Sequence, residues 1–439
     1  MASQPNSSSL RMTSSAQQES SLDFARDDPE LVEGSDPRAS AGAAPAGTAG
    51  DRMLLSLLRR YIEDAPVTLA FGDLAYGPAS SDPIAAVQIR NRATLMRLLA
   101  RPTLEFGEAY MRGDIEVAGD LVSALEALYR ATSGGGRWRD RLAPWLDRSH
   151  GLNTARHNIH HHYDLGNDFY RLWLDERLVY TCAYFPHDRV SLEEAQRAKM
   201  EHVCRKLRLQ RGETVVEAGC GWGALALHMA RHHGARVRAF NISHEQITYA
   251  REQARAQGLA GQVEFIEDDY RHITGRYDAF VSVGMLEHVG LECYRTLGRT
   301  IDRVLDPNGR GFLHFIGRNH EAPLNAWIRK RIFPGGYPPT LPQVVGRILA
   351  PFDLSVVDIE NLRLHYAQTL HHWRQRFEAV TDLVKTMFDE PFARAWRLYL
   401  AGSEAAFTTG SMQLFQVLFA RGATNRVPLT RNHVYEEPL

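Results

Sequence analysis

The chain has 439 residues, of which 44% are hydrophobic and 23% are charged, as in ordinary globular proteins, and its length suggests two or three domains. A formal net charge of −1 gives no support to a nucleic-acid partner, and no apolar run approaches the roughly 20 residues that cross a bilayer. The four cysteines lack Cys-x-x-Cys spacing and the N-terminus has no apolar signal segment, so we expect a cytoplasmic protein without disulfides or a metal site.

Composition divides the chain into a tail, a small module, a linker, a main domain and a second tail. The first tail is rich in Ser, Ala, Gly and Pro and carries seven acidic and three basic residues, which predicts disorder. Helical and strand-like patterns in the module predict an α+β fold, with a turn at Gly113–Val117 that shows alternation of apolar and polar residues. Three consecutive glycines mark the linker. The predicted bounds are 1–50, 51–132, 133–152, 153–425 and 426–439.

Strand and helix patterns alternate through the main domain, which is typical of a mostly parallel sheet. The strand candidates are Thr214–Ala218, Ala235–Asn241, Val263–Glu267, Tyr277–Val283 and Gly311–Ile316, and the first helix candidates are Ala224–His233 and His244–Gln257. Ligands of such sheets bind beyond the carboxyl ends of the strands, so the residues that follow each strand are candidates for a site.

The first strand runs into a loop with glycine at every second position, Gly219, Gly221 and Gly223. Glycine lets the backbone turn tightly and approach a ligand closely, and the following helix start offers free N–H groups. The spacing Gly-x-Gly-x-Gly differs from the Gly-x-Gly-x-x-Gly of dinucleotide sites, which favours S-adenosylmethionine over NAD. The alternative for this loop alone is an ordinary tight turn.

Polar side chains follow the other strands at the same edge of the sheet. Asn241 can bind a hydroxyl group or cap the next helix, although Ser243 would serve as that cap equally well. The turn at Asp268–Tyr270 can hold an adenine amino group or be a solvated acidic turn. Glu287 follows the fourth strand, and His314 lies in the fifth, where a lone histidine is more often part of the core. The neighbouring Glu287 favours a functional role for it.

Two segments are predicted to cover this crevice. The histidine cluster of His157 and His160–His162 has helical spacing but lacks an identifiable third metal ligand, so we favour a polar lid over a metal site. The segment Asn325–Phe333 mixes aromatic with basic residues and is predicted to be a cap. It can touch anionic lipid head groups or be an amphipathic cover helix that touches no lipid, and the sequence leaves both open.

With these motifs in order, the chain resembles the cyclopropane-fatty-acyl-phospholipid synthase family, which includes the mycolic acid cyclopropane synthases. The matching segments are His161–Tyr170, Tyr180–Phe185, Glu217–Gly223, Ser282–Gly290, Leu313–Gly317 and Ile332–Gly336. The resemblance implies a Rossmann-like class I methyltransferase with a mostly parallel seven-stranded sheet. The module at 51–132 looks like the N-terminal domain of longer members, which is thought to engage lipid.

The resemblance also implies site residues, with S-adenosylmethionine as methyl donor and a bound bicarbonate as base. The implied cofactor contacts are Tyr180, Thr181, Gly219, Gly221, Gly223, Asn241, Ile242, Gln246, Asp269 and Tyr270. The implied bicarbonate ligands are Cys182, Glu287, His314, Tyr366 and Ser403. Better-known members carry cysteine at the position of Ser403, which leaves the reaction outcome open. Cys182 has no histidine partner nearby in sequence, so we interpret it as a pocket wall.

The implied reaction is methyl(ene) transfer to a cis double bond of phospholipid acyl chains, through a carbocation that closes to a cyclopropane. The same motifs suit a methyl- or methylene-branching fatty acid methyltransferase, or a methyltransferase of lipid-like small molecules. A lipid-binding protein that has lost activity is disfavoured by the intact motifs. We expect membrane phospholipids as partners, no nucleic acid, a homodimer as one option, and a peripheral position at the inner face of the membrane.

Overall fold

The computed structural model describes residues 47–63, 65–79, 81–133 and 165–435. Most of the predicted N-terminal tail, nearly all of the predicted linker, and the cluster of His157 and His160–His162 lie outside the described residues. The described part of the chain contains a four-stranded and a seven-stranded sheet.

The N-terminal module holds the four-stranded sheet, in the strand order β2–β1–β3–β4. Its elements are α1 (Ala49–Tyr61), β1 (Val67–Phe71), β2 (Leu74–Tyr76), β3 (Ala85–Ile89), α2 (Arg92–Ala100), α3 (Pro102–Arg112), β4 (Ile115–Gly119) and α4 (Leu121–Ser133). Every second residue of β1 and β3 is buried, so the sheet has one apolar face. Helix α1 begins inside the predicted tail, because Thr48 and Asp51 form a reciprocal capping box.

The predicted turn at Gly113–Val117 is wrong in its second half. Gly113 has φ 78° and ends α3, but Ile115 already pairs with Ile89 in an antiparallel ladder between β3 and β4. The alternation of apolar and polar residues from Ile115 to Val117 is the strand signal, which the preceding glycine and aspartate obscure.

The main domain is an α/β unit, as predicted. Its elements are α5 (Asn167–Arg171), α6 (Leu192–Leu207), β5 (Thr214–Ala218), α7 (Ala224–His233), β6 (Arg236–Asn241), α8 (His244–Ala256), β7 (Val263–Glu267), β8 (Tyr277–Val283), α9 (Leu286–Val289), α10 (Tyr294–Val304), β9 (Leu305–Gly317), α11 (Ala326–Arg331), α12 (Leu341–Val344), β10 (Leu354–Asn361), α13 (Arg363–Ala379), α14 (Thr381–Met387), α15 (Glu390–Thr408), β11 (Gln413–Arg421) and α16 (Asn432–Tyr435). Short turns of 3₁₀ or π type lie at Tyr270–His272, Leu291–Cys293, Val345–Leu349 and Ala350–Phe352.

The seven-stranded sheet has the order β10–β11–β9–β8–β5–β6–β7. All five predicted strands are present and pair in parallel, whereas β11 lies antiparallel between β9 and β10. The last two strands were not among the predictions. In β11, Gln413–Ala420 is buried throughout, so no alternation marks it as a strand. The carboxyl ends of the parallel strands meet at one edge, where the candidate residues lie.

The module packs against α11 and α15 of the main domain. Arg331 of α11 makes two hydrogen bonds of 2.8 Å to the carboxylate of Glu108 in α3, and the exposed fractions of the two side chains are only 19% and 8%. Burial raises the pKa of Glu108, but the Arg331 hydrogen bonds and the charges of Arg331, Lys330 and Arg112 bring it below the ordinary value. Arg331 of the predicted cap thus forms an internal ion pair.

The predicted C-terminal tail contains a docked helix. Val434 of α16 is 4% exposed, and Tyr435 lies with its ring 6.0 Å from that of His202 in α6. Arg431 forms an ion pair with Asp358 at 3.1 Å. The segment therefore packs as part of the main domain up to its last described residue.

We predict that Glu108→Ala lowers the free energy of unfolding by about 2–4 kcal/mol, because it leaves the Arg331 guanidinium without its buried counter-charge. Glu126→Ala on α4 is the matched control, since Glu126 pairs with the exposed Arg130 and its loss costs about 0.5 kcal/mol or less. Urea denaturation of the two variants measures the difference. Equal losses would show that the Glu108 pair does not hold the module in place.

Candidate active site

A cavity that we call the loop cavity lies at the carboxyl ends of β5, β6 and β8. It has about 780 Å³ of empty space, part of it open to solvent. Its lining residues are Leu178, Val179, Tyr180, Thr181, Lys199, Glu217, Gly219, Cys220, Gly221, Trp222, Ala224, Leu225, Asn241, Gln246, Val283, Gly284, Met285 and His288. Six of the ten implied cofactor contacts are in this set.

The glycine loop has the backbone form that glycine allows. Gly219, Gly221 and Gly223 have φ values of 82°, 54° and 84°, in the left-handed region that disfavours other residues. A Cβ atom at Gly223 would lie 2.5 Å from the Phe265 ring, so this position must be small for packing. At Gly221 a Cβ atom would meet nothing within 4 Å, which leaves this backbone open to a ligand.

Asn241 faces the loop cavity and does not cap the next helix. Its amide nitrogen donates to the Gly221 carbonyl at 3.3 Å and to the Gln246 side chain at 2.7 Å. Its amide oxygen accepts from the Ile242 N–H at 2.8 Å. The hydroxyl of Ser243 caps α8 instead. The network fixes the two amide side chains at the rim of the cavity.

The remaining implied contacts, Gly223, Ile242, Asp269 and Tyr270, are not among the lining residues of this cavity. Asp269 accepts hydrogen bonds of 2.9 Å from the backbone and the side chain of Arg271, and it caps the turn that follows. Tyr270 is buried, and its hydroxyl has no hydrogen-bond partner among the described residues. Asp269 is 4% exposed, so the turn is not a fully solvated one at this residue, and its contact to an adenine amino group stays a prediction.

Two buried ionisable groups in the loop cavity were missed by the sequence analysis. Lys199 of α6 donates to the Thr181 hydroxyl at 3.0 Å, and burial lowers the pKa of its ammonium group to about 8. Burial raises the pKa of Glu217 to about 8, although the Lys199 charge opposes that shift. Lys199 lies in a helix with no motif around it, so only its unusual burial identifies it.

A second cavity, the central cavity, holds all five implied bicarbonate ligands. It has about 1160 Å³ of empty space and shares Tyr180, Thr181, Gly284 and His288 with the loop cavity. Its lining residues are those four and Tyr129, Cys182, Glu287, His314, Ile316, Arg318, Leu324, Asn325, Ile328, Phe333, Gly336, Tyr337, Pro338, Tyr366, Tyr399, Gly402, Ser403, Ala406, Phe407, Ser411, Met412 and Leu414. Aromatic and aliphatic groups make up most of this wall.

Glu287 presents a carboxyl group to the central cavity. One oxygen accepts from the Ile316 N–H at 2.5 Å, and the other is buried without a hydrogen-bond partner among the described residues. Burial raises the pKa of Glu287 to about 7, although its backbone hydrogen bonds oppose that shift. A carboxyl group with this pKa exchanges a proton near neutral pH, as a general acid or base requires.

His314 is oriented by the strand next to it. The ladder between β9 and β11 sets His314 opposite Gln416, whose amide nitrogen lies 3.2 Å from Nδ1. An amide nitrogen only donates, so Nδ1 accepts and the ring proton is on Nε2. Nε2 is buried without a partner among the described residues. Burial holds the pKa well below its ordinary value, so the ring is neutral and offers an N–H donor.

The other three residues complete the wall. Cys182 is fully buried, its thiol lies 3.1 Å from the Ala183 carbonyl, and burial raises its pKa, so it stays a neutral thiol. Tyr366 on α13 packs its ring 4.5 Å from that of Phe407. Ser403 lies on α15 and faces the same cavity. These features support a wall role for Cys182 and disfavour a nucleophile.

A family model described as mycolic acid cyclopropane synthetase matches residues 150–417, more than half of the chain. The chain belongs to this family. A further model, described as a domain of unknown function (DUF7884), matches residues 56–134. The family resemblance that the motifs indicate is therefore confirmed.

Two relatives align with most of this chain. A probable fatty acid methyltransferase of Pseudomonas putida is 37% identical over 353 residues, which are 78% of this chain and 89% of that protein. The cyclopropane-fatty-acyl-phospholipid synthase of Escherichia coli K12 is 34% identical over 358 residues, which are 79% of this chain and 91% of that one. Both matches extend beyond the catalytic domain.

A solved structure of a mycolic acid cyclopropane synthase, complexed with SAH and CTAB, has a TM-score of 0.58 and 28% identity. It matches 61% of this chain and 98% of its own. The chain is an S-adenosylmethionine-dependent methyltransferase with the class I fold, as the sequence predicts.

The prediction that the chain has no metal site remains a prediction. Elsewhere in the chain, possible ligand atoms of Cys204, His228 and His233 lie within 4.8 Å of one another. Both histidines already contact the Glu201 carboxylate, at 3.2 and 3.1 Å. This carboxylate accounts for the histidine orientation without an ion.

We predict different outcomes for alanine at two glycines of the loop. Gly221→Ala should keep the fold and weaken S-adenosylmethionine binding at least tenfold, because its methyl group occupies space at the cavity wall. Gly223→Ala has similar φ strain but also clashes with Phe265, so it should lose about 2–4 kcal/mol of stability. Thermal unfolding and titration calorimetry separate the two effects. Equal loss of stability in both variants would contradict this assignment.

Proposed function

We propose that this protein transfers a methyl(ene) group from S-adenosylmethionine to the cis double bond of acyl chains in phospholipids and closes it to a cyclopropane. The observation that carries the proposal is the central cavity. It joins the loop cavity and is mostly apolar, yet it holds two buried polar atoms, on Glu287 and His314, without partners among the described residues. A hydrocarbon chain suits the wall, and a small polar ion suits the two atoms.

The loop cavity is the proposed cofactor site. When bound there, S-adenosylmethionine supplies an electrophilic methyl group on a positively charged sulfur. Asn241 and Gln246 offer amide groups to its polar parts, and the open backbone at Gly221 allows close approach. Tyr180 and Thr181 line both cavities and so lie where donor and acceptor would meet.

The wall of the central cavity suits a carbocation. An alkene that takes up a methyl group becomes positively charged, and water would capture that charge. The aromatic rings of Tyr180, Phe333, Tyr366, Tyr399 and Phe407 line the cavity, and ring faces stabilise a cation there. Tyr180 and Tyr399 join their hydroxyl groups at 2.7 Å, which holds two of these rings in place.

Ring closure requires that a proton leaves the new methyl group. A bicarbonate ion bound in the central cavity would supply a mild base. The Nε2–H of His314 and the hydroxyl groups of Tyr366 and Ser403 can donate to such an anion, and the free oxygen of Glu287 can accept from its hydroxyl. These residues would hold the ion and fix its direction.

A branching methyltransferase is the second candidate. Ser403 stands where better-known family members have cysteine, and a changed ligand can move the base relative to the carbocation. If the proton leaves from another carbon, no ring closes and the chain becomes branched. The name of the Pseudomonas putida relative, a probable fatty acid methyltransferase, fits this outcome.

The proposed substrate is part of a membrane, which implies a peripheral position at its inner face. Among the described residues no helix is long and apolar enough to cross a bilayer. Of the basic residues in the cap, Arg331 and Lys330 both pair with Glu108, at 2.8 and 3.7 Å, but Lys330 is half exposed and can also meet an anionic lipid surface.

We predict that Glu287→Gln and His314→Ala each lower turnover at least a hundredfold while S-adenosylmethionine binding stays within about threefold. The reason is that both side chains line the central cavity and neither lines the loop cavity. Mass spectrometry of treated lipids gives turnover, and NMR distinguishes a ring from a branch. Activity near that of the parent in both variants would reject the base site. Ser403→Cys is the companion variant, and a changed ratio of ring to branch supports the role of this position.

We also predict that turnover rises with pH through about 7. The reason is that Glu287 must accept a hydrogen bond or a proton, and its raised pKa keeps part of the population protonated below that pH. A pH profile of kcat with saturating substrate measures this limb. In Glu287→Gln the residual activity should lack the limb, and its persistence there would assign the titration to another group.

A further inference from the structure

A third space, which we call the module cavity, lies between the sheet of the N-terminal module and helices α11 and α15. It has about 1000 Å³ of empty space. Residues from every layer of the module line it, including Leu69, Leu98, Phe106 and Leu128, and no lining residue carries a charge. Part of this space is open to solvent, and its walls are apolar, whereas protein interiors are otherwise close-packed.

The module cavity adjoins the central cavity. Tyr129, Asn325, Ile328 and Gly402 line both spaces. Gly402 directly precedes Ser403, and a Cβ atom at Gly402 would lie 3.4 Å from the Tyr129 hydroxyl. The two spaces thus meet next to the proposed base site, and a side chain at position 402 would contact Tyr129 across the boundary between them.

The walls that meet at this boundary are fixed to each other. Glu108 and Arg331 form the buried ion pair between α3 and α11. Gly107 lies so close to the Trp327 ring that an added Cβ atom would be 2.3 Å from it. Arg394 of α15 donates to the carbonyl of Tyr110 at 2.6 Å. With three such contacts, the space between module and main domain is a built feature of the fold.

We propose that the methyl-terminal end of the substrate acyl chain passes Gly402 and occupies the module cavity, so that the N-terminal module measures the chain beyond the double bond. This inference rests on the proposed function and names the part of the substrate that this space holds. Each methylene group that leaves water is worth about fourfold in affinity, so a filled module cavity adds strong selection for tail length.

The chemistry of the two spaces gives the direction of the chain. A carboxylate or phosphate in the module cavity would lose its hydration and find no charged partner. The central cavity, in contrast, contains the guanidinium of Arg318, which donates to the Pro323 carbonyl and forms no ion pair among the described residues. The polar end of the lipid therefore belongs on the side of the central cavity, and the methyl end belongs in the module.

The test compares acyl chains that have the double bond at the same distance from the carboxyl group and a short or a long tail beyond it. Leu128→Trp places a larger side chain in the module cavity and so reduces its empty volume. Leu57→Trp makes the same substitution on the surface of α1, where the Leu57 side chain is 42% exposed. We expect Leu128→Trp to lower the ratio of kcat/KM for long over short tails at least tenfold, and Leu57→Trp to leave it unchanged. Phe106→Ala enlarges the cavity and should shift the preference to longer tails.

An unchanged ratio in a folded Leu128→Trp variant would overturn the inference while leaving the proposed function intact. If the parent protein transfers a methyl group to neither the short-tailed nor the long-tailed acyl chain, the proposed function itself is rejected.

A second measurement needs no variant. A phospholipid with a photoreactive group at the methyl end of its unsaturated chain is cross-linked to the parent protein, and the labelled peptides are identified by mass spectrometry. Labels on the lining residues of the module cavity within 58–132 support the inference. Labels confined to residues that do not line the module cavity, or labels on the module only when the probe is on the other acyl chain, would overturn it.

Discussion

The hydrogen bond between Gln416 and His314 is the contact on which the proposed chemistry depends. It follows from the register of β9 against β11, the one antiparallel partner of the parallel strands in the large sheet. Because Gln416 donates to Nδ1, the imidazole turns its N–H toward the central cavity. A slip of one residue would turn the amide to the other face of the sheet and leave the tautomer unset.

Burial then determines the charge of each group around the cavity. It keeps His314 neutral, keeps Cys182 a thiol and brings the pKa of Glu287 close to neutrality. The site therefore holds little fixed charge of its own apart from Arg318. Such a wall is compatible with a hydrocarbon chain, and it leaves polar atoms only where a small ion could use them.

The sequence predicts the parallel part of the large sheet well, because each strand there ends in a motif. The glycine loop and Glu287 follow mostly buried strands and Asn241 ends another, and the topology of a parallel sheet brings them to one edge. The family resemblance then supplied Tyr366 and Ser403, which lie on long helices without a local signal. Lys199 and Gln416 could not be found this way, because their roles come from burial and strand register.

The N-terminal module shows the same limit. Its helices and the strands β1 and β3 follow from periodicity, but β4 is hidden behind a glycine. The module cavity depends on how the sheet of the module faces α11 and α15. No short segment of the sequence carries a pattern that predicts this packing. The cap was predicted to cover the crevice or to contact a lipid surface. Its Arg331 instead forms an ion pair with Glu108 of the module.

The contact between the module and the main domain has a consequence for how the protein can be divided. Trp327 and Leu398 are almost fully covered, by residues of the module as well as by their own domain. Removing the residues before 165 would expose these side chains to solvent and would leave Arg331 without the Glu108 carboxylate. The shortened enzyme would present this apolar surface to solvent, so in this chain the module and the main domain are best expressed and engineered together.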